Sequence, residues 1–335
     1  MPMNASASRR QDLLKIDAAS ETERIVAGIR EVVVSRFHRK GAVVGVSGGI
    51  DSAVVAFLCA RALGPERVLV LFTPEADSSP ESLRLGKLVA EKLGAPSQLE
   101  NITPLLQAAG CYERRDAAIR RLVPEYTARH KCKIVLPNLL SSDRYPIFHL
   151  VVQAPDGNTK HVRLTAETYL GILAATNLKQ RTRKLIEYYY GDLKHYVVAG
   201  TPNRLEYDQG FFVKYGDGAA DLKPIAHLYK SQVYQLAAFL EVPQEIQSRV
   251  PTTDTYSLEQ SQEEFYFSLS LEKMDLCLYG KNQGMPAAEI APMVGLPERQ
   301  VERVYALIDG KRNAARYLHS SPVLMEPIDL PLVQD

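Results

Sequence analysis

Cysteine is scarce in this chain. Only Cys59, Cys111, Cys132 and Cys277 occur among 335 residues, spread singly and without a C-x-x-C pair. That excludes a disulfide framework of the secreted kind and a zinc site built on cysteine pairs. It fits a reducing compartment, so a cytoplasmic protein is expected. Long apolar runs are missing too: none approaches the length that spans a bilayer, so no membrane association is expected. A surplus of either charge is absent. Lys and Arg number 40 against 39 Asp and Glu, a formal net charge of +1, so bulk charge gives no case for general nucleic-acid binding. The opening MPMNASASRRQ lacks the apolar core of a signal peptide and reads as a frayed tail. No internal repeat and no low-complexity segment breaks the chain.

What is present is an alternation. Ile25, Ile29, Val32 and Val33 fall at helical spacing, which predicts a helix over 20–40 ended by Gly41. AVVGV then reads as a buried strand, 51–63 as a helix closed by Gly64-Pro65, and RVLVLFTP as a second buried strand. Pro80 to Leu93 reads as another helix. Residues 166–190 predict a helix, HYVVAGTP a third buried strand and LYKSQVYQLAAFLE a helix. Residues 285–308 read as helical, with a Pro-Glu start near 297. This rhythm predicts an α/β fold with a doubly wound parallel sheet, in which ligands bind beyond the carboxyl ends of the strands.

Between about 110 and 165 the rhythm breaks. KCKIVLP, IFHLVVQAP and KHVRLTAE read as three strands, the last two joined through Asp156-Gly157-Asn158. The segment is expected to be a small antiparallel β insertion, lying as a flap over the mouth of a ligand site. The basic stretch ERRDAAIRRLVPEYTARHKCK ahead of it reads as helical. It is either a solvated helix face or a nucleic-acid contact.

The stretch VVGVSGGIDSA, residues 43–53, lies at the first strand's carboxyl end. Backbone N–H groups at a Gly turn and helix start are unpaired and make an anion site. Gly48 and Gly49 allow positive φ and close approach, and Ser47 and Ser52 add hydroxyls. The spacing is not that of the P-loop, and no lysine follows. An acid, Asp51, sits where a phosphate would be repelled. It makes sense there as a ligand of Mg²⁺ bridging to phosphate oxygens.

These residues resemble the ammonia-dependent NAD synthetases, within the N-type ATP pyrophosphatases. SGGIDSA marks the wider group. GTPNRLEYDQGFFVKYGDGAADLKPIAHLYKSQV, from Gly200, resembles that family's segment from the third strand into the next helix. NLKQRTR at 177–183 resembles its N-x-x-x-R-x-R helix, and VPTTD at 250–254 its P-[ST]-A-D-L turn. The resemblance covers nearly the whole chain apart from 110–165. It implies an adenine nucleotide alpha hydrolase-like, Rossmann-like fold, and one domain over residues 1–335 with 110–165 inserted in it.

The resemblance also implies the chemistry. A carboxylate, that of deamido-NAD, attacks the α-phosphate of ATP, pyrophosphate leaves, and ammonia attacks the acyl-adenylate to give NAD and AMP. It assigns ATP contacts to Gly45, Val46, Ser47, Gly48, Gly49, Ile50, Asp51 and Ser52, and to Thr201, Lys230 and Thr252. It places Asp51 and Glu206 on Mg²⁺, with Asp51, Glu206 and Lys230 as the catalytic set. Arg181, Lys214, Asp221 and Lys311 match positions that contact the acceptor, and Phe211 and Phe212 offer rings to stack on a nicotinate. A homodimer with the acceptor site near its two-fold axis is implied. Only about forty residues precede the turn, too few for a glutaminase domain, so ammonia is expected free or from a separate partner. The chain departs from the pattern at Thr253-Asp254-Thr255, where the family has A-D-L, and at Gly310, where it has His. The altered 253–267 segment and the insertion leave open the same chemistry on another carboxylate, and the arginines of 113–133 leave open a nucleic-acid-modifying pyrophosphatase. A catalytically silent nucleotide sensor is the fourth reading, against which Asp51, Glu206 and Lys230 stand intact.

Overall fold

The computed structural model describes residues 13–136, 148–252, 255–267, 269–326 and 328. The expected N-terminal tail, the ends of two insertion strands at Pro137 and Ile147, and Thr253-Asp254 lie outside the described residues. Helix α1 (Ala18–Arg30) is followed by strand β1 (Ala42–Gly45), α2 (Ile50–Leu63), β2 (Val68–Phe72), α3 (Pro80–Leu93) and β3 (Ser97–Leu99). Next come α4 (Thr103–Ala108), α5 (Cys111–Arg120), β4 (Lys131–Val135), β5 (His149–Gln153) and β6 (Thr159–Arg163). Helix α6 (Ala166–Lys194) leads into β7 (Val197–Ala199) and α7 (Arg204–Gln209). The remaining helices are α8 (Lys230–Phe239), α9 (Gln244–Gln247), α10 (Leu271–Asn282), α11 (Ala287–Val294) and α12 (Glu298–His319).

The strands β3, β2, β1 and β7 lie side by side in that order and all run parallel. Side chains alternate across a strand, so β1 serves two layers. Ala42 and Val44 join the core formed with α1, α2 and α8, while Val43 with Leu69 and Leu71 packs under Ile186 and Tyr190 of α6. Helices on both faces are the doubly wound arrangement read from the sequence, and they explain why β1 and β2 are apolar throughout rather than alternating. A second core joins Leu205 and Phe267 to α10, α11 and α12.

Three details differ from expectation. The first helix does not run to Gly41: α1 widens into a π-helical stretch, Glu31–Arg36, and the chain then bends at His38, φ 49°. Gly41 serves close approach instead, since a Cβ there would lie 2.2 Å from the Arg67 carbonyl oxygen. The helical region over 285–308 is two helices parted at Gly295, φ 62°, and the second continues to His319. The basic stretch is helical only to Arg120 and then turns, because Pro124 disfavours helical backbone at Val123. Its Arg115 is buried and paired with Asp77 at 2.5 Å, whereas Arg114, Arg120, Arg121 and Arg129 are exposed and Arg121 pairs with Glu167 at the surface.

The segment expected to be an insertion carries a three-stranded antiparallel sheet in the order β4-β5-β6. Cys132, Ile134, Leu150 and Val152 form its core with Ala118 and Ile119 of α5 and Ile172 of α6. The hairpin between β5 and β6 turns at Gly157, φ 88°, and its tip from Asp156 to Asn158 is exposed. All four cysteines are buried and unpaired.

Candidate active site

The site starts where β1 runs out. Gly48 adopts φ 74°, and a Cβ there would fall 2.5 Å from the Ser82 carbonyl oxygen, so only glycine fits this turn against α3. The Ser52 hydroxyl ties the turn together: it accepts the Ser47 N–H at 3.2 Å and donates to the Gly49 carbonyl at 3.0 Å. Gly49 opens α2 without a side-chain cap, which leaves first-turn N–H groups for an anion. Arg249 fixes the far side, donating to the Gly48 carbonyl at 3.3 Å and to Ser82 Oγ at 2.9 Å.

Three charged side chains converge beside the turn. Asp51 lies in the first turn of α2, and its carboxylate pairs with the Lys230 ammonium. Lys230 opens α8 and is 2 % exposed. Glu206 sits in the first turn of α7, where Asn203 forms a capping box with it: the Asn203 Oδ1 accepts the Glu206 N–H at 3.1 Å and Glu206 Oε2 accepts the Asn203 N–H at 3.2 Å. The Asn203 amide also donates to Asp51 Oδ1 at 3.1 Å, so one residue orients both acids. Gln262 donates to the other Glu206 oxygen at 2.9 Å.

Burial, and then the Asp51 charge, push the Glu206 carboxyl up to about 8. Burial works against the Lys230 ammonium, but Asp51 and then Glu206 outweigh it, and its pKa is raised. Beneath α8, the buried Asp275 accepts the backbone N–H groups of Lys230 at 3.2 Å and Ser231 at 2.8 Å, and burial raises it to about 6.

A cavity of about 690 Å³ opens over this cluster. Gly45 to Ser47 and Gly49 to Ser52 line it from the turn, and Thr201, Glu206, Lys230 and Thr252 line it as well. Arg181 and Lys214 reach it, as do Phe211 and Phe212. The cavity wall also carries Arg183, whose buried Nε has no hydrogen-bond partner among the described residues. Among the described residues no set of three acidic, His or Cys side chains gathers around one point, so a cation would have two carboxylates and the ligand's own oxygens.

Other expected site residues stand elsewhere. Gly48 shapes the turn without lining the cavity. Asp221 accepts the Val198 N–H at 2.7 Å and the Tyr188 hydroxyl at 3.2 Å, bracing β7 from behind. Lys311 lies behind the wall: its ammonium donates to the Tyr266 carbonyl at 2.6 Å and stands 3.9 Å from the centre of that ring. Neither Asp221 nor Lys311 lines the cavity. The sequence pointed to neither Asn203, Gln262, Arg249 nor Asp275. Only Asn203 carried a local signal, an Asn three residues ahead of a Glu at a helix start.

The family model described as NAD synthase matches residues 21–135 and 153–315. The unmatched stretch between them is narrower than the 110–165 insertion expected to lie outside the resemblance: α5, β4 and β6 fall within the match. The chain is 58 % identical over 318 residues to the NH(3)-dependent NAD(+) synthetase of Rhizobium meliloti, covering 95 % of each chain. It is 56 % identical over 312 residues to the protein of that name from Mesorhizobium japonicum, covering 93 % of this chain and 98 % of that one. The structure of the NH3-dependent NAD synthetase from Campylobacter jejuni, in complex with the nitrate ion, shares the fold with a TM-score of 0.61 and 23 % identity. That alignment covers 93 % of this chain and all of the other.

Proposed function

We infer the reaction from one premise: the chain belongs to the NAD synthase family. It is an ATP-dependent carbon–nitrogen ligase that amidates deamido-NAD with ammonia. The deamido-NAD carboxylate attacks the α-phosphorus of ATP, the bond to the β-phosphate oxygen breaks, and pyrophosphate leaves. Ammonia then attacks the acyl-adenylate carbonyl, and AMP leaves as NAD forms. The observation that carries this reading is the convergence of Asp51, Lys230 and Glu206 beside a glycine turn whose residues line the cavity.

The leaving pyrophosphate gathers charge in the transition state, and preorganised donors there lower the barrier. The turn from Ser47 to Ser52 and the start of α2 hold the phosphates, with Thr201 and Thr252 as further ATP contacts. Lys230, kept charged and dry, meets the leaving group. The donor set fits Mg²⁺: two carboxyl groups stand beside one ammonium, and burial followed by the Asp51 charge raises Glu206, a cost that a cation between the two acids would offset. Asp51 and Glu206 would hold the ion, which offsets phosphate charge when bound. Arg181, Lys214, Phe211 and Phe212 face the acceptor, and Arg183 offers its unpaired donor to an acceptor atom of a ligand.

We further propose one catalytic unit in which the antiparallel sheet is an insertion, acting in the cytoplasm as a homodimer. No helix among the described residues is long and apolar enough to cross a membrane. Leu185, Tyr189 and Leu193 form an exposed stripe at four-residue spacing along α6, with Leu170 further up the helix, and a second copy would cover it. Light scattering at micromolar concentration should return a dimer; a monomer removes that proposal. The reaction is tested by pyrophosphate release with ATP, Mg²⁺ and ammonium across a panel of carboxylates. Release that depends on deamido-NAD, with NAD as product, is expected. Release that ignores deamido-NAD, or prefers another carboxylate, overturns it.

A further inference from the structure

Residues 255–262 have little regular structure, yet they are held from three sides. From within, Lys179 donates to the Thr255 carbonyl at 2.8 Å. Lys179 is 1 % exposed and is itself fixed by Glu75 at 2.9 Å and Asp77 at 2.6 Å. From the insertion side, the free edge of β4 grips the segment. The Cys132 N–H donates to Ser257 Oγ at 2.9 Å, and the Cys132 carbonyl accepts the Leu258 N–H at 3.2 Å. The buried Gln260 amide donates to the Ile134 carbonyl, and Lys133 donates to the Glu259 carbonyl at 3.1 Å. Tyr256 is packed into the insertion's core beside Cys132 and Ile134. On the third side, Gln262 reaches Glu206, and its backbone N–H donates to the Pro251 carbonyl at 3.1 Å.

Two needs are met by one arrangement. An edge strand with unpaired N–H and C=O groups requires a partner. An irregular segment requires something to offset its ordering entropy. Here each supplies the other, and the ordered segment contributes Thr255, Tyr256 and Gln262 to the cavity wall. We propose that the sheet β4-β5-β6 is a clasp: its free edge holds residues 255–262 against the cavity and thereby seats Gln262 on Glu206 as a positioning residue for adenylation. The link to adenylation rests on the function inferred above; the clasp itself does not.

The test separates the two. Hydrogen exchange is followed for the peptide covering 255–262 in the wild type, in the double variant Ser257→Ala/Gln260→Ala and in Gln262→Leu. Neither Ser257 nor Gln260 lines the cavity. In the double variant, exchange across 255–262 should rise while β1 and α2 stay protected. Its kcat for deamido-NAD-dependent pyrophosphate release should fall at least about tenfold, the scale of a displaced catalytic group, with the KM for ATP changed less than about threefold. Gln262→Leu should show the same kcat loss without the rise in exchange, and it lies outside the insertion's core should the double variant not fold. The clasp is overturned if exchange across 255–262 is unchanged in the double variant; its link to adenylation is overturned if the segment is freed and kcat holds. The positioning role is overturned if Gln262→Leu keeps wild-type kcat. A wild type without deamido-NAD-dependent release counts against the inferred function, and the exchange result still judges the clasp.

Discussion

Two lysines of the cavity are held in opposite ways. The Lys230 ammonium is buried against the Asp51 carboxylate, with Glu206 close enough to affect it. The Lys214 ammonium meets neutral groups: the Tyr317 carbonyl at 2.7 Å, the Ser320 carbonyl at 2.8 Å and hydroxyl at 2.9 Å, and the Tyr317 ring, 4.4 Å from its centre. It caps the end of α12, where carbonyls lack intrahelical partners. The charge of Lys230 is offset by Asp51, and the phosphates of a bound nucleotide would compete with that acid for the ammonium. The charge of Lys214 is anchored without being cancelled. The first arrangement suits a group whose role grows with developing charge; the second suits a standing attraction for an anionic or polar ligand.

The strongest way to break this comparison is to remove the acid. Asp51→Asn should keep the fold and lower deamido-NAD-dependent pyrophosphate release by roughly a thousandfold or more, since a neutral amide is a poor ligand for Mg²⁺ and no longer orients Lys230. Near-wild-type turnover at saturating Mg²⁺ would end the metal assignment. Lys230→Ala should cost about 2–4 kcal/mol of transition-state stabilisation, seen in kcat more than in the KM for ATP. A pure KM effect would show that Lys230 binds ground state and transition state alike. Lys214→Met should do the reverse, raising the KM for deamido-NAD about tenfold with kcat little changed, as expected for loss of one charged hydrogen bond in binding. If kcat falls instead, the two lysines do not divide the work.

The smallest expected effect sharpens the comparison with a third lysine. Burial lowers Lys311 from 10.5 to about 7. Between those values the folded chain binds fewer protons than the unfolded one, so this residue's contribution to stability rises with pH through that window and is at its least below it. Lys311→Met should therefore raise the Tm at pH 7 by no more than about 2 °C, with the gain shrinking towards pH 10. A gain that grows with pH would reverse the sign and place the ammonium's ring and carbonyl contacts above its burial.

Legibility followed periodicity. The runs around Val43 and Val70 named a buried parallel sheet, and the glycine turn named an anion site, because both are local patterns. Asp275 sits inside α10 with nothing in its neighbours to show that it caps α8 some forty-five positions earlier in the chain. Arg249 and Gln262 fall in stretches without a period, and their partners lie 201 and 56 residues away. Asp221 and Lys311 were reached through resemblance alone, and both stand behind the cavity wall. In the charged stretch Arg114, Arg120, Arg121 and Arg129 are exposed, as a solvated face requires, but Arg115 turns inward and its pair with Asp77 ties α5 to the loop after β2, which no local pattern announced.

The burial of every cysteine has a practical consequence. Burial pushes Cys59 and Cys277 up to about 12 and raises Cys111 and Cys132 as well. Maleimides and fluorescent iodoacetamides need an accessible thiolate, so the native chain should be silent to them at neutral pH. One engineered thiol at the exposed hairpin tip, for instance Asn158→Cys, would then carry a dye on an otherwise unlabelled molecule. That places a reporter on the β4-β5-β6 sheet without first removing any natural cysteine.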